Sequence, residues 1–351
     1  MNNLQHSNSV TVIIPCYNVG KYIASTLDSL LNQSFNEFSV ICLDDASKDN
    51  TFEILSQYSL SNKRIRSYRN ETNLGVIKTL NKLVEMTSTT WILRMDSDDI
   101  FESTRVEELM KLTSNSQMIM ASTAFSYIDQ DSGPLYKKDG LDICTLNQSI
   151  RFMAMLNSPM PSQALFHRDV FADFQFDNRF SVAEDYYFFT KVLMNNSNKS
   201  VFNIDEKLYR YRINPNGLTS NNQKLMSENH YQIAKEYTQN ILEIENKTLS
   251  YLKIALKLVD LKLMTGKDIS LVFKDFFQMK DRFLQMNCVS INEKKEIDQY
   301  SYQYFIYLLF SIFKSSEVSI GNKIKMLLKH SPKIIVGAFK TKNLKWILKS
   351  L

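Results

Sequence analysis

Two carboxylates one residue apart, Asp96 and Asp98, follow a short apolar run at 91–95, with Asp99 beside them. A buried-type strand ending there sends both toward one point, where a hard divalent cation, Mg²⁺ or Mn²⁺, finds oxygen ligands and completes its shell with phosphate and water. The same residues also read as a solvated acidic turn before the next helix, because acids favour a helix's first turn. A second acidic pair, Asp44-Asp45, stands between another apolar run and Ala46-Ser47-Lys48-Asp49-Asn50-Thr51. It serves either as helix-capping charge or as an acceptor for a base or ribose hydroxyl. A third pair, Glu184-Asp185, opens the aromatic run Tyr186-Tyr187-Phe188-Phe189. Apolar surroundings raise a carboxyl pKa, which suits a general base, though acids in a first helical turn explain the pair equally well.

Around these acids lie groups able to hold a nucleotide. Tyr17, in Pro15-Cys16-Tyr17-Asn18, offers a ring to stack on a base, although Pro and Asn are also ordinary turn formers. The stretch from Asn70 through Asn73, Leu74 and Gly75 is a turn opening a helix, whose backbone N–H groups can face phosphate. Arg212, in Tyr209-Arg210-Tyr211-Arg212-Ile213-Asn214-Pro215-Asn216-Gly217, has the fork that grips a diphosphate through two nitrogens. Paired instead with surface acids it would contribute roughly 0–1 kcal/mol.

The elements that must position these groups alternate. Residues 10–14, 38–43, 65–68 and 91–95 are short, β-branched or aromatic runs and read as strands. Between and after them, helical spacing recurs at Tyr22, Ile23, Leu27, Leu30 and Leu31, and over 51–58, 77–86 and 105–112. Strand–helix alternation predicts an α/β fold with a mostly parallel sheet covered on both faces. Such sheets bind ligands beyond the carboxyl ends of their strands, which is where the first two acidic clusters fall. The Asn-rich patch 195–198 reads as a loop, and from about Leu225 the pattern turns to long helical stretches with a break at Pro332. The expected division is a catalytic domain over 1–222, with a nucleotide-sugar half at 9–115 and an acceptor half at 116–222, then a helical region over 223–351.

The chain has 351 residues, 44% hydrophobic and 23% charged, enough to fold and bury a sizeable core. A net charge of +5 is mild, and the recognisable clusters are acidic, which argues against nucleic acid as a partner. The four cysteines, Cys16, Cys42, Cys144 and Cys288, show no metal-ligand spacing and read as small buried thiols. No signal peptide opens the sequence and no run of roughly 18 apolar residues occurs, so a cytoplasmic, reduced setting is expected. From Ile320 to Leu351 eight lysines and no acid alternate with apolar residues, among them Ile324, Leu327, Phe339 and Trp346. That basic amphipathic pattern suits either the cytoplasmic face of an anionic membrane or a solvated face on packed helices.

In order, residues 12–18, Asp44 to Thr51, Asn73-Leu74-Gly75 with Asn81, Arg94 to Asp99, Glu184-Asp185-Tyr186 and 211–216 resemble glycosyltransferase family 2, the resemblance spanning about residues 9–219. The resemblance implies the GT-A fold, a Rossmann-like nucleotide-diphospho-sugar transferase architecture, and an inverting enzyme that moves a sugar, expected from a UDP-sugar, to an acceptor hydroxyl in bacterial surface polysaccharide synthesis. It implies that Pro15, Tyr17, Asn18, Asn73 and Gly75 line the nucleotide site and that Asp45, with Asp44 behind it, holds the base. Asp96 and Asp98 would hold ribose and Mn²⁺ or Mg²⁺, Arg94 and Arg212 would reach the diphosphate, and Asp185 would be the catalytic base with Glu184 as its alternative. Many relatives carry histidine where this chain has Asn214, which keeps open a catalytically silent sugar-nucleotide-binding or scaffold protein. A nucleotidyltransferase is a third reading, disfavoured by the lack of a GxxxxGK loop. A polyprenyl-diphosphate-linked acceptor would suit the basic C-terminal stretch, and sugar selectivity is expected from a variable loop over 125–150.

Overall fold

The structure, a computed structural model, describes residues 10–135, 143–215, 217, 222–244, 249–259 and 265–315. Its N-terminal half alternates β1 (Val10–Cys16), α1 (Ile23–Leu31), β2 (Phe38–Asp44), α2 (Thr51–Ser61), β3 (Ile65–Arg69), α3 (Val76–Glu85) and β4 (Trp91–Arg94). Then come β5 (Ile100–Phe101), α4 (Arg105–Leu112), β6 (Met118–Ile128), β7 (Pro134–Leu135), α5 (Asn147–Met153), β8 (Leu165–His167), α6 (Val170–Asp173), α7 (Glu184–Asn195) and β9 (Ser200–Arg212). One nine-stranded sheet runs β3-β2-β1-β4-β8-β6-β9-β5, with β7 on β6.

β1 to β4 pair in parallel. β8 runs against both β4 and β6, which puts β6 and its parallel partner β9 back in the direction of β4. Most strands therefore run one way, and β1, β2 and β4 are buried on both faces, as parallel strands under helices must be, while β3 at the sheet edge is largely open to solvent. Side-chain alternation divides the core. Val12, Ile14, Val40, Cys42 and Leu93 face the cluster under α1, α2 and α4, whereas Ile13, Ile41, Leu43 and Ile92 face a larger one under α3, α5 and α7. Truncating one of these, as in Leu43→Ala, removes contacts that a close-packed interior does not replace and costs about 2–5 kcal/mol.

The remaining elements are helices: α8 (Gln223–Ile241), α9 (Ser250–Ala255), α10 (Gly266–Met286) and α11 (Ile291–Ser315). Their buried aromatics Tyr237, Tyr251, Phe276 and Tyr304 join the larger cluster with Tyr186 and Phe189 of α7. Polar ties reinforce the union. The Glu296 carboxylate accepts from Thr145 N–H at 2.9 Å and Leu146 N–H at 3.0 Å, and Glu293 accepts from Gln148 N–H at 2.9 Å, all before or in α5.

Two expectations change, and one strand was not expected at all. Residues 125–128 belong to β6, not to a loop, because Phe125 and Tyr127 pair across to Tyr209 and Tyr211 of β9, the first ring pair tilted and the second edge-to-face. Cys288 is exposed, unlike the other three cysteines, because it lies in the short link between α10 and α11. The short antiparallel β8 inserts between β4 and β6 without a sequence signal of its own. The basic stretch 320–351, with Pro332, lies outside the described residues. Among the described residues no helix is long and apolar enough to cross a membrane.

Candidate functional site

The carboxyl ends of β1, β2 and β4 open into a cleft of about 2070 Å³, bounded also by β6, β9, α7 and α8. Pro15, Tyr17 and Asn18 line it from β1, with the Tyr17 ring 44% exposed and so available to stack. Asn18 takes a left-handed φ of 51°, a conformation its short amide side chain tolerates. The turn is stitched to its neighbour: Asn18 N–H donates to Ser47 Oγ at 2.9 Å, and Lys48 N–H donates to Asn18 Oδ1 at 2.9 Å.

Asp44 is fully buried behind this turn, its Oδ2 3.0 Å from Arg69 Nε and accepting from Ser47 N–H at 3.2 Å. Asp45 reaches the cleft wall. Its Oδ1 accepts from Asn70 Nδ2 at 2.8 Å and Leu74 N–H at 2.9 Å, and its Oδ2 accepts from Gly75 N–H at 2.8 Å. The helix-opening amides expected to face phosphate are thus turned onto Asp45, while Oδ2 keeps a lone pair for a ligand. Gly75 has φ 83°, which glycine adopts without strain, and Asn73 caps its amide at 3.1 Å.

The acidic cluster is organised by two arginines. Arg94 is buried, with Nε 3.1 Å from Asp96 Oδ1 and Nη1 3.2 Å from Glu184 Oε1, so one guanidinium bridges β4 and α7. Burial alone would weaken its charge, but the fields of Asp96, Glu184 and Asp185 outweigh that and hold it protonated. Asp96 also accepts from Ser162 Oγ at 3.2 Å. Burial, then the charge of Asp96, pushes Asp98 up to about 6, against the pull of Arg212 and a hydrogen bond from Asn214. Asp99 turns inward and is raised well above the ordinary range by burial and by Asp98 and Asp96. It accepts from Arg212 N–H at 2.7 Å and from Gln163 Nε2.

Arg212 is spent mostly on backbone: Nε donates to the Asp98 carbonyl at 2.7 Å and Nη1 to the Asp129 carbonyl at 2.8 Å, with Tyr22 under the guanidinium at 4.8 Å. Nη2 has no partner among the described residues but is itself buried, so in this arrangement the side chain presents no two-nitrogen grip and instead fixes the loop that carries Asp98.

Glu184 and Asp185 form the first turn of α7, entered through Ala183 at a left-handed φ of 74°. Burial pushes Glu184 up to about 7, with Arg94 opposing and Asp185 adding to the rise. Asp185 lines the cleft, its Oδ1 accepting from Tyr186 N–H at 2.8 Å.

For a divalent cation the oxygens of Asp98 and Asp96 are the donors present, with the Asn214 amide beside Asp98. The donor type fits Mg²⁺ or Mn²⁺, which take one or two carboxylates and leave the remaining positions to phosphate and water. The mutual repulsion that raises Asp98 is what a cation between the two would relieve. Among the described residues no group of three or more His, Cys, Asp or Glu gathers into an all-protein metal cage.

All the expected site residues except Asp44 line this one cleft. Gln163, Ser162 and Arg105 were not anticipated. Arg105 is buried between the Phe101 and Tyr209 rings at 4.4 and 4.3 Å, donates to the Gln163 carbonyl at 2.5 Å, and lies in the field of Asp99. The hydrogen bonds Ser162–Asp96, Gln163–Asp99 and Arg105–Gln163 each span more than fifty residues of sequence, so no local pattern points to them. The cleft wall from α8 was also missed, although its spacing is legible.

Residues 11–174 match the family model described as glycosyl transferase family 2. An uncharacterized glycosyltransferase of Haemophilus influenzae is 27% identical over 257 residues, covering 69% of this chain and 77% of that one. Chondroitin synthase of Escherichia coli is 35% identical over 98 residues, 28% of this chain and 14% of that one. Among solved structures, Staphylococcus aureus TarS residues 1–349 in complex with UDP-GlcNAc superpose with a TM-score of 0.54 at 18% identity, covering 85% of this chain and 91% of that one.

Proposed function

The chain belongs to glycosyltransferase family 2 and has the GT-A type of fold, and from that premise we propose that it moves a sugar from a UDP-sugar to an acceptor hydroxyl with inversion. The observation that carries this reading is the convergence in one cleft of a stackable Tyr17, the Asp96–Asp98 carboxylates and the Glu184-Asp185 pair. Tyr17 and the Asp45 turn receive the nucleoside. Asp98, with Asp96, would hold Mg²⁺ or Mn²⁺, which when bound neutralises charge on the departing diphosphate. Arg94 adds fixed positive charge, held by Asp96 and Glu184, close to where that diphosphate must lie. Asp185 takes the proton of the acceptor hydroxyl as its oxygen attacks the anomeric carbon from the side opposite the leaving group, a contribution of roughly 10²–10⁴-fold.

A similarity to chondroitin synthase, which is a polymer-forming enzyme by name, and the UDP-GlcNAc bound to TarS support a UDP-hexosamine or hexose donor and a bacterial polysaccharide product. The polyprenyl-diphosphate-linked acceptor and the anionic-membrane contact at the cytoplasmic face belong to the same proposal and rest on the sequence of residues 320–351 alone. The test is a panel of UDP-sugars scored for thermal stabilisation with and without Mn²⁺, followed by release of UDP. At least one UDP-sugar should stabilise the chain more with Mn²⁺ than without, and Asp98→Ala should remove the Mn²⁺ increment. Absence of stabilisation by every UDP-sugar sinks the reading; stabilisation without turnover on any acceptor assigns the silent binding protein instead.

A further inference from the structure

Helix α8 carries two stripes with different jobs. Tyr231, Ala234, Tyr237 and Thr238 are buried in the large core and dock the helix. Gln223, Met226, Ser227 and His230 recur at i, i+3, i+4 and i+7, hence on one face, and all four line the cleft. A face at that spacing normally seals a core with apolar residues, but three of these four are polar. None of the three has a hydrogen-bond partner among the described residues, and none is an orphan sealed away from the cleft. Their donors and acceptors therefore point at open space beside the catalytic groups.

The helix is fixed there by other residues. Asn229 Nδ2 donates to the Val182 carbonyl at 2.8 Å and Glu236 lies 2.5 Å from Arg179, so α8 grips the loop that delivers Ala183, Glu184 and Asp185. His230 packs edge-on against Tyr186 with ring centroids 5.1 Å apart, and the charge of Asp185 acts on its imidazole. Burial opposes that charge and keeps the ring below its ordinary pKa, so at neutral pH it presents one donor and one acceptor nitrogen. An amide, a hydroxyl and a neutral imidazole with one thioether between them suit a ligand rich in hydroxyls with an apolar ring face, not an anion, which would call for cationic groups.

We propose that this face of α8 is the subsite for the acceptor saccharide, with His230 and Ser227 hydrogen-bonding the hydroxyls of the acceptor ring and so setting the attacking hydroxyl against Asp185. The proposal rests on the transferase reading above. It also gives the helical region a direct part in substrate recognition.

The experiment uses the full chain, saturated with UDP and Mn²⁺, titrated with a panel of methyl glycosides and disaccharides. The imidazole Cε1–H resonance of His230 is followed by NMR and assigned by its disappearance in His230→Gln. At least one glycoside should shift that resonance saturably. Measured by calorimetry, which needs no imidazole signal, Ser227→Ala and His230→Ala should each weaken its binding by roughly tenfold, the effect of a lost hydrogen bond to a ligand hydroxyl, and His230→Gln should recover part of the loss. UDP affinity should stay the same in all of them. Gln223→Trp, at an exposed position where folding is not at stake, should block the glycoside by bulk. If every glycoside leaves the resonance in place while UDP binds, or binds the variants as tightly as the parent, the α8 subsite is refuted. If UDP itself fails to bind the parent, it is the transferase reading that falls.

Discussion

Replacing Glu184 with glutamine tests whether the Arg94 bridge leaves this carboxyl short of full compensation. Its side chain is 12% exposed, so solvent screens it little. Its carboxyl is carried from an ordinary 4.5 to about 7, burial being the main cause. At roughly 1.4 kcal/mol per pH unit, the folded state spends on the order of 3 kcal/mol to keep Glu184 ionised at high pH. Below 4.5 both folded and unfolded chains hold the proton; between 4.5 and about 7 only the folded chain does, so stability falls as pH rises and the loss is complete above about 7. Glutamine has no such dependence. Urea unfolding followed through buried Trp91 should therefore show the stability of Glu184→Gln minus that of the parent growing by about 2–3 kcal/mol between pH 5 and pH 8. Asp98, which titrates near 6, is present in both proteins and cancels. A difference that stays constant within about 0.5 kcal/mol refutes the argument that the carboxyl is desolvated.

Asp185→Asn should lower transfer by roughly 10²–10⁴-fold with UDP affinity retained, read as turnover against calorimetric binding; a smaller loss removes Asp185 as the base. Arg105→Met should cost about 1–3 kcal/mol in chemical denaturation, because the buried Gln163 carbonyl and Thr123 hydroxyl lose their donor; a loss under about 0.5 kcal/mol would show those hydrogen bonds to be dispensable. Ala183→Gly should raise the melting temperature, with up to about 1 kcal/mol gained, since glycine accepts the φ of 74° that alanine holds under strain. No gain there would mean that the glycine's extra chain entropy cancels the relief.

The parallel half of the sheet was legible because its strands are short, β-branched and bounded by turn residues, and the observed β1, β2 and β3 begin at the residues read from sequence. Chain order alone also placed the acidic clusters at strand ends. What escaped was set by pairing across long separations. β8 is only three residues long and gains its place from neighbours on both sides, and Gln163 acquires its role through Asp99, sixty-four residues away. Arg212 was recognisable as a cation worth explaining, but its hydrogen bonds go to carbonyls, which sequence does not show. The cleft face of α8 was within reach, because polar residues at i, i+3, i+4 and i+7 beside an apolar stripe are visible in the string. Reading those residues only as helix formers hid it.

Arg94 has one positive charge and two claimants. Whatever satisfies Asp96 by other means leaves the guanidinium to Glu184 alone and makes that acid easier to ionise. Thermodynamic reciprocity then requires that ionising Glu184 eases Asp96 toward other cations by the same factor. The nucleotide end of the cleft and the proton-handling end are therefore in conversation through a single side chain, and a change that retunes one retunes the other.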